Sequence, residues 1–129
     1  MQSNNQKARI LVVDDEPDIT AVFKRGLEAT GFLVDTFNVP CEALSNFKED
    51  YYEVLIFDIK MPKITGFQLY WEIRKKDDKA RVCFMTAFDI YKEEFSKMFP
   101  SNEVKCFIKK PVRVNDLQQI VQGQIESTY

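Results

Sequence analysis

Five side chains in this sequence have types and places suited to phosphate chemistry: Asp14, Asp15, Asp58, Thr86 and Lys110. Each directly follows a short apolar run. Ala8–Val13 leads into Asp14-Asp15, Val54–Phe57 into Asp58, Val82–Met85 into Thr86, and the run around Phe107-Ile108 into Lys109-Lys110. Short apolar runs bounded by breakers read as strands buried on both faces, so these polar residues stand where strands leave the core. Three carboxylates gathered at one edge repel one another, and none keeps an ordinary pKa without a cation. As hard oxygen ligands they suit Mg²⁺ (or Mn²⁺), which binds through one or two carboxylates and keeps waters that a phosphate can replace. A hydroxyl and an ammonium beside them, Thr86 and Lys110, match the oxygens of a phosphoryl group. Singly, each has a plainer reading. Asp58 can cap a turn, Asp14-Asp15 can serve a helix N-terminus, Thr86 can end a strand and Lys110 can face solvent. What carries weight is that all fall at the strand ends where open α/β sheets bind ligands.

The elements that must position them alternate. Strands are expected at 8–13, 33–37, 54–57, 82–85 and 105–111. Helices are expected after Pro17, with Ile19, Val22, Phe23 and Leu27 inward and Gly31 as cap; after Pro40, with Ala43, Leu44 and Phe47 inward; over 67–74; within 89–98; and near the end, with Leu117, Ile120, Val121 and Ile125 inward and Asn115 or a neighbour as cap. Five strands and five helices in alternation predict an α/β, flavodoxin-like doubly wound five-stranded parallel sheet, order 2-1-3-4-5, with helices on both faces. That order sets strands 1 and 3 side by side, so Asp14 and Asp15 converge on Asp58. The polar segment 1–7 is expected to be disordered and 8–129 to form one domain.

With a net charge of -2 and interspersed signs, the chain offers no electrostatic footprint for nucleic acid or a membrane surface. No apolar stretch is long enough to span a bilayer, and a cytoplasmic protein is expected. There is no histidine, which removes imidazole catalysis and ligation. The three cysteines, Cys41, Cys83 and Cys106, form no C-x-x-C pair; reduced thiols are expected, with Cys83 and Cys106 acting as small core residues.

Over residues 8–127 the chain resembles a response-regulator receiver domain of two-component signalling. The ordered set Asp14-Asp15, Asp58-Ile59-Lys60-Met61-Pro62, Thr86-Ala87 and Lys110-Pro111 carries the resemblance. It implies that Asp58 accepts a phosphoryl group from a histidine kinase or phosphotransfer protein. It implies Mg²⁺ (or Mn²⁺) bound by Asp15, Asp58 and the Lys60 carbonyl, with Asp14 acting directly or through water. Thr86 and Lys110 would hold the phosphoryl oxygens, and the peptide before Pro111 would be cis, aiming Lys110 into the site. Of the two adjacent lysines, the family's is the one before proline, so Lys110 is chosen over Lys109. Thr86 and Phe107 would form the switch, read out on the surface made by the fourth helix, fifth strand and fifth helix. That surface would dock a downstream protein, as a monomer or a phosphorylation-dependent homodimer. Lys60 and Phe88, flanking the site, would shield the acyl phosphate from water.

Such a chain would be a signalling phosphoacceptor and not a turnover enzyme. A flavodoxin is disfavoured because Asp14-Asp15-Glu16 would repel the flavin phosphate. A dehalogenase-type phosphatase generally needs an acid where Lys60 stands. The remaining rival is a receiver-fold interaction module that works without phosphorylation. Ending at Tyr129, the chain is expected to be a stand-alone receiver or an excised domain.

Overall fold

The computed structural model describes residues 7–87 and 106–126. Five strands, β1 (Arg9–Val13), β2 (Leu33–Phe37), β3 (Val54–Asp58), β4 (Arg81–Thr86) and β5 (Cys106–Lys109), form one parallel sheet in the order β2-β1-β3-β4-β5. Helices α1 (Pro17–Ala29), α2 (Pro40–Ser45), α3 (Gly66–Arg74) and α4 (Val114–Glu126) complete the described elements. This is the flavodoxin-like architecture that the alternation predicts. The helix expected within 89–98 and the segment 1–6 lie outside the described residues.

The alternation of side chains along each strand divides the core in two. Leu11, Val13, Leu55, Phe57, Val82 and Phe84 pack with Ala43 of α2 and Leu69, Tyr70 and Ile73 of α3. Ile10, Val12, Val54, Ile56, Cys83, Met85, Cys106 and Ile108 pack with Phe23 and Leu27 of α1 and Leu117 and Val121 of α4. All five residues of β3 are buried, which is why its sequence is continuously apolar up to Asp58. At β1–β3 the register pairs Val13 with Phe57, so Asp14 and Asp58 leave the sheet side by side.

Local sequence fixes the helix ends. Pro17 opens α1, where a missing N–H costs nothing. Gly31, at φ 99°, turns the chain out of it, with the Phe32 N–H donating to the Leu27 carbonyl at 3.3 Å. Helix α3 starts with a reciprocal capping box: the Gln68 N–H donates to Thr65 Oγ1 at 3.1 Å, and the Thr65 N–H to Gln68 Oε1 at 2.8 Å.

Three expectations change. Val22 is 46 % exposed rather than inward, because the buried stripe of α1 runs through Thr20, Phe23 and Leu27. Asn115 lies inside α4, which begins one residue earlier. Cys83 and Cys106 are not a pair of free thiols: the register sets them opposite each other on β4 and β5, and they are joined as a disulfide. Their sequence separation of 23 hides that adjacency, which only the strand pairing creates.

Gly66, at the start of α3, lies tight against the end of β3. A Cβ there would collide with the Asp58 carbonyl oxygen and lie 3.0 Å from the Asp58 carbonyl carbon and 3.1 Å from Ile59 Cα. These are backbone atoms that cannot swing aside. Gly66→Ala is therefore expected to destabilise the fold by about 1–3 kcal/mol in chemical denaturation. The contrasting variant is Gly123→Ala, inside α4 with nothing within 4 Å of an added Cβ, which is expected to stabilise by up to about 1 kcal/mol.

Candidate functional site

The carboxyl edge of the sheet opens into a cleft of about 490 Å³ lined by Asp15, Glu16, Asp58, Lys60, Met61, Pro62, Thr86, Ala87 and Lys110. Asp14 lies beneath it, fully buried, and Asp58 is 5 % exposed. The chain holds Asp14 from several sides. Its N–H donates to the Phe37 carbonyl at 3.2 Å, and its carbonyl accepts from Asn38 Nδ2 at 2.9 Å. Asn38 is itself 2.9 Å from Thr20 Oγ1, and the Glu16 N–H donates to Asp14 Oδ1 at 2.9 Å. On the other side of the cleft, the Ile59 N–H donates to the Met85 carbonyl and the Gly66 N–H to the Ile59 carbonyl, both at 2.9 Å. The chain is thereby fixed on both sides of the Asp58 side chain.

Lys110 reaches into this cluster. Its Nζ lies 2.8 Å from Asp14 Oδ2, 3.4 Å from Asp58 Oδ2 and 3.7 Å from Glu16 Oε1. The Lys110 N–H continues the β4–β5 ladder by donating to the Thr86 carbonyl at 2.8 Å, and the Lys110–Pro111 peptide bond is cis. Lys109 is exposed, so of the two adjacent lysines Lys110 is the one at the carboxylates. Thr86, buried, and Lys60, exposed, both line the cleft. Phe107 is half-buried on β5, opposite Phe84 in register and with its ring 6.1 Å away. Phe88 lies outside the described residues.

One oxygen from each of Asp14, Asp15 and Asp58 can be chosen so that the three lie within 4.8 Å of one another. Burial, with the neighbouring Asp14 charge adding to it, pushes the Asp58 carboxyl up to about 6, although Lys110 pulls the other way. Asp14 is raised as well, chiefly by burial. Burial alone would lower the Lys110 ammonium, but Asp14 and Asp58 outweigh it and hold it above its ordinary value. Asp14 Oδ2 is buried and makes no aligned hydrogen bond, its ammonium contact apart. A single ammonium thus faces more negative charge than it can neutralise. The donor set, all carboxylate oxygen, fits a hard divalent cation.

Sequence reasoning missed Asn38, which anchors Asp14, and saw Glu16 only as part of the acidic loop, not as a neighbour of Lys110. Gly66 was visible only as part of a turn. Asn38 and Gly66 have no signal in spacing, because one acts through a tertiary hydrogen bond and the other through a close approach.

The comparisons with known proteins agree with this geometry. The model of the response regulator receiver domain matches residues 10–122, and the chain belongs to that family. The probable transcriptional regulator ycf27 of Porphyra purpurea is 39 % identical over 122 residues, covering 87 % of this chain and 50 % of the relative. The transcriptional regulatory protein PrrA of Mycobacterium leprae is 36 % identical over 67 % of this chain and 37 % of its own length. This chain thus spans about half or less of these curated relatives. Among solved structures, the response regulator TrrA of Thermotoga maritima, in complex with Mg²⁺–BeF, is 34 % identical with a TM-score of 0.75, covering 91 % of this chain and 98 % of that one. TrrA has also been solved in complex with the histidine kinase ThkA.

The raised Asp58 carboxyl gives stability a definite pH dependence. In the folded state it titrates at about 6 rather than 3.8, so the folded protein binds the extra proton and loses stability as pH rises through that window. Asp58→Asn is expected to stabilise the metal-free protein at pH 7.5 by about 2 kcal/mol, an advantage that shrinks toward pH 4. Urea denaturation with a chelator present measures it.

Proposed function

We propose that this chain is a phosphoacceptor receiver that takes a phosphoryl group onto Asp58. The observation that carries the reading is Lys110 Nζ held between Asp14 at 2.8 Å and Asp58 at 3.4 Å, on the floor of a cleft that Thr86 also lines. An Asp58 carboxylate oxygen attacks the phosphorus of the donor. The new O–P bond forms as the bond to the donor's leaving group breaks, leaving an acyl phosphate on Asp58. Lys110 offsets the charge on the phosphoryl oxygens, and the Thr86 hydroxyl donates to one of them. Mg²⁺ (or Mn²⁺), held by Asp15, Asp58 and the Lys60 carbonyl with Asp14 direct or through water, would supply the remaining positive charge. The chain is a substrate of phosphotransfer that assists its own modification and its slow reversal, not a turnover enzyme.

The donor is a histidine kinase or a phosphotransfer protein, a reading supported by the complex of TrrA with a histidine kinase. Mg²⁺ use is supported in the same way by the Mg²⁺–BeF complex of TrrA. Docking of Thr86 on the new phosphoryl group moves the end of β4, and Phe107, packed at 6.1 Å from Phe84, turns inward in response. The altered face docks a downstream protein, as a monomer or a phosphorylation-dependent homodimer. No helix among the described residues is long and apolar enough to cross a membrane, and a cytoplasmic setting suits a kinase donor.

Incubation with Mg²⁺ and acetyl phosphate, followed by intact-mass measurement, tests the reading. The wild type is expected to gain one phosphoryl group only when Mg²⁺ is present, and Asp58→Asn to gain none. Absence of any gain would point instead to a receiver-fold interaction module independent of phosphorylation.

A further inference from the structure

The strand pair that supplies Thr86 and Lys110 to the cleft is also the pair that carries the disulfide. Cys83 and Cys106 stand in register on β4 and β5, with Cα atoms 4.5 Å apart. The next register pair is Phe84 with Phe107, then Met85 with Ile108, and the ladder closes where the Lys110 N–H meets the Thr86 carbonyl. Cys83 and Cys106 face the α1–α4 layer, whereas Phe84 and Phe107 face the opposite one. β5 is four residues long and pairs only with β4 among the described residues. A short edge strand held by a single ladder is the part of a sheet most prone to local opening. Its one covalent tie lies at the end away from the cleft, directly before Phe107.

We propose that Cys83 and Cys106 are a reversible thiol–disulfide couple whose oxidation pins β5 to β4 and so holds Phe107 and Lys110 in place. This deepens the phosphoacceptor reading and rests on it for its setting. A cytoplasmic receiver works in a reducing compartment, where protein disulfides are characteristically transient and redox-sensing rather than permanent staples. Both sulfurs are buried, Cys83 at 0 % and Cys106 at 6 % exposure, so exchange proceeds through opening of the edge strand. A dithiol reductant attacks one sulfur as its thiolate, and the Cys83–Cys106 bond breaks to leave a mixed disulfide and one cysteine thiolate, which takes up a proton. The reductant's second thiol, as its thiolate, closes a cyclic disulfide and releases the other cysteine, also protonated. Two electrons and two protons pass to the protein. Reduction leaves two small apolar thiols in the same core position, so the sheet persists while the tie on β5 is lost.

Three readouts on the full chain test this. After treatment with oxidised glutathione, alkylation under denaturing conditions should leave Cys83 and Cys106 unmarked, with the exposed Cys41 alkylated or carrying glutathione; after dithiothreitol it should mark all three. Amide exchange of 106–109, followed by mass spectrometry without a phosphodonor, should be about tenfold slower in the oxidised protein. Phosphorylation by acetyl phosphate with Mg²⁺ should be several-fold faster in the oxidised form, because Lys110 is then held in position. Cys106→Ala should match the reduced wild type in amide exchange and phosphorylation in either buffer. Alkylated Cys83 and Cys106 after the oxidant, or equal exchange of 106–109 in both redox states, would overturn the proposal; phosphorylation at the same rate in both would overturn the link to Lys110. Failure to gain phosphate in either state, with exchange still redox-dependent, would remove the phosphoacceptor reading and leave the couple standing.

Discussion

The site is organised by an imbalance of charge: one ammonium, Lys110, lies 2.8 Å from Asp14 and 3.4 Å from Asp58, with Asp15 and Glu16 close by. Carboxylates at that spacing in a buried setting cannot all stay ionised at no cost. The cluster relieves the repulsion by raising Asp58 to about 6 and by drawing Lys110 inward against its own desolvation. It is therefore a site under electrostatic tension, and positive charge entering the cleft relaxes it. A helix-capping arrangement would have no reason to accumulate this charge.

The rest of the fold keeps that cluster from flying apart. Placing β1 beside β3 puts Asp14 next to Asp58, and the two apolar layers make the placement rigid. Backbone hydrogen bonds at Phe37, Met85 and Ile59 then fix the chain immediately around the acids. At Gly66, α3 comes within contact of the Asp58 carbonyl, so the strand end has no room to shift on that side. Small displacements at such a packed edge are passed on to neighbouring strands rather than absorbed. The proposed response of β5 to phosphorylation would depend on this packing.

Much of this was legible in the sequence because strong patterns encode it. Continuous apolar runs marked β1, β3 and β4, and the alternation of elements dictated the sheet order that brings the acids together. The choice of Lys110 over Lys109 came from the family resemblance, in which the lysine precedes a proline, and the structure sets Lys110 Nζ among the carboxylates. What could not be read shares one cause. Val22, the Cys83–Cys106 pairing, and the roles of Asn38 and Gly66 all depend on which surfaces meet in space, and periodicity along one chain does not carry that information. A cysteine 23 residues from its partner looks solitary until two strands align. Thr20 looks like a polar break in the stripe of α1, yet it is buried 2.9 Å from Asn38 Nδ2.

The acidic cluster is short of positive charge, and its all-carboxylate donor set fits a divalent cation. Calorimetric titration of Mg²⁺ into the phosphate-free protein at pH 7.5 tests it most directly. A single saturable site is expected, lost in Asp15→Asn and in Asp58→Asn but kept in Asp50→Asn, whose carboxylate pairs with Lys79 away from the cleft. No saturable binding, or binding unchanged by neutralising Asp15 and Asp58, would contradict it.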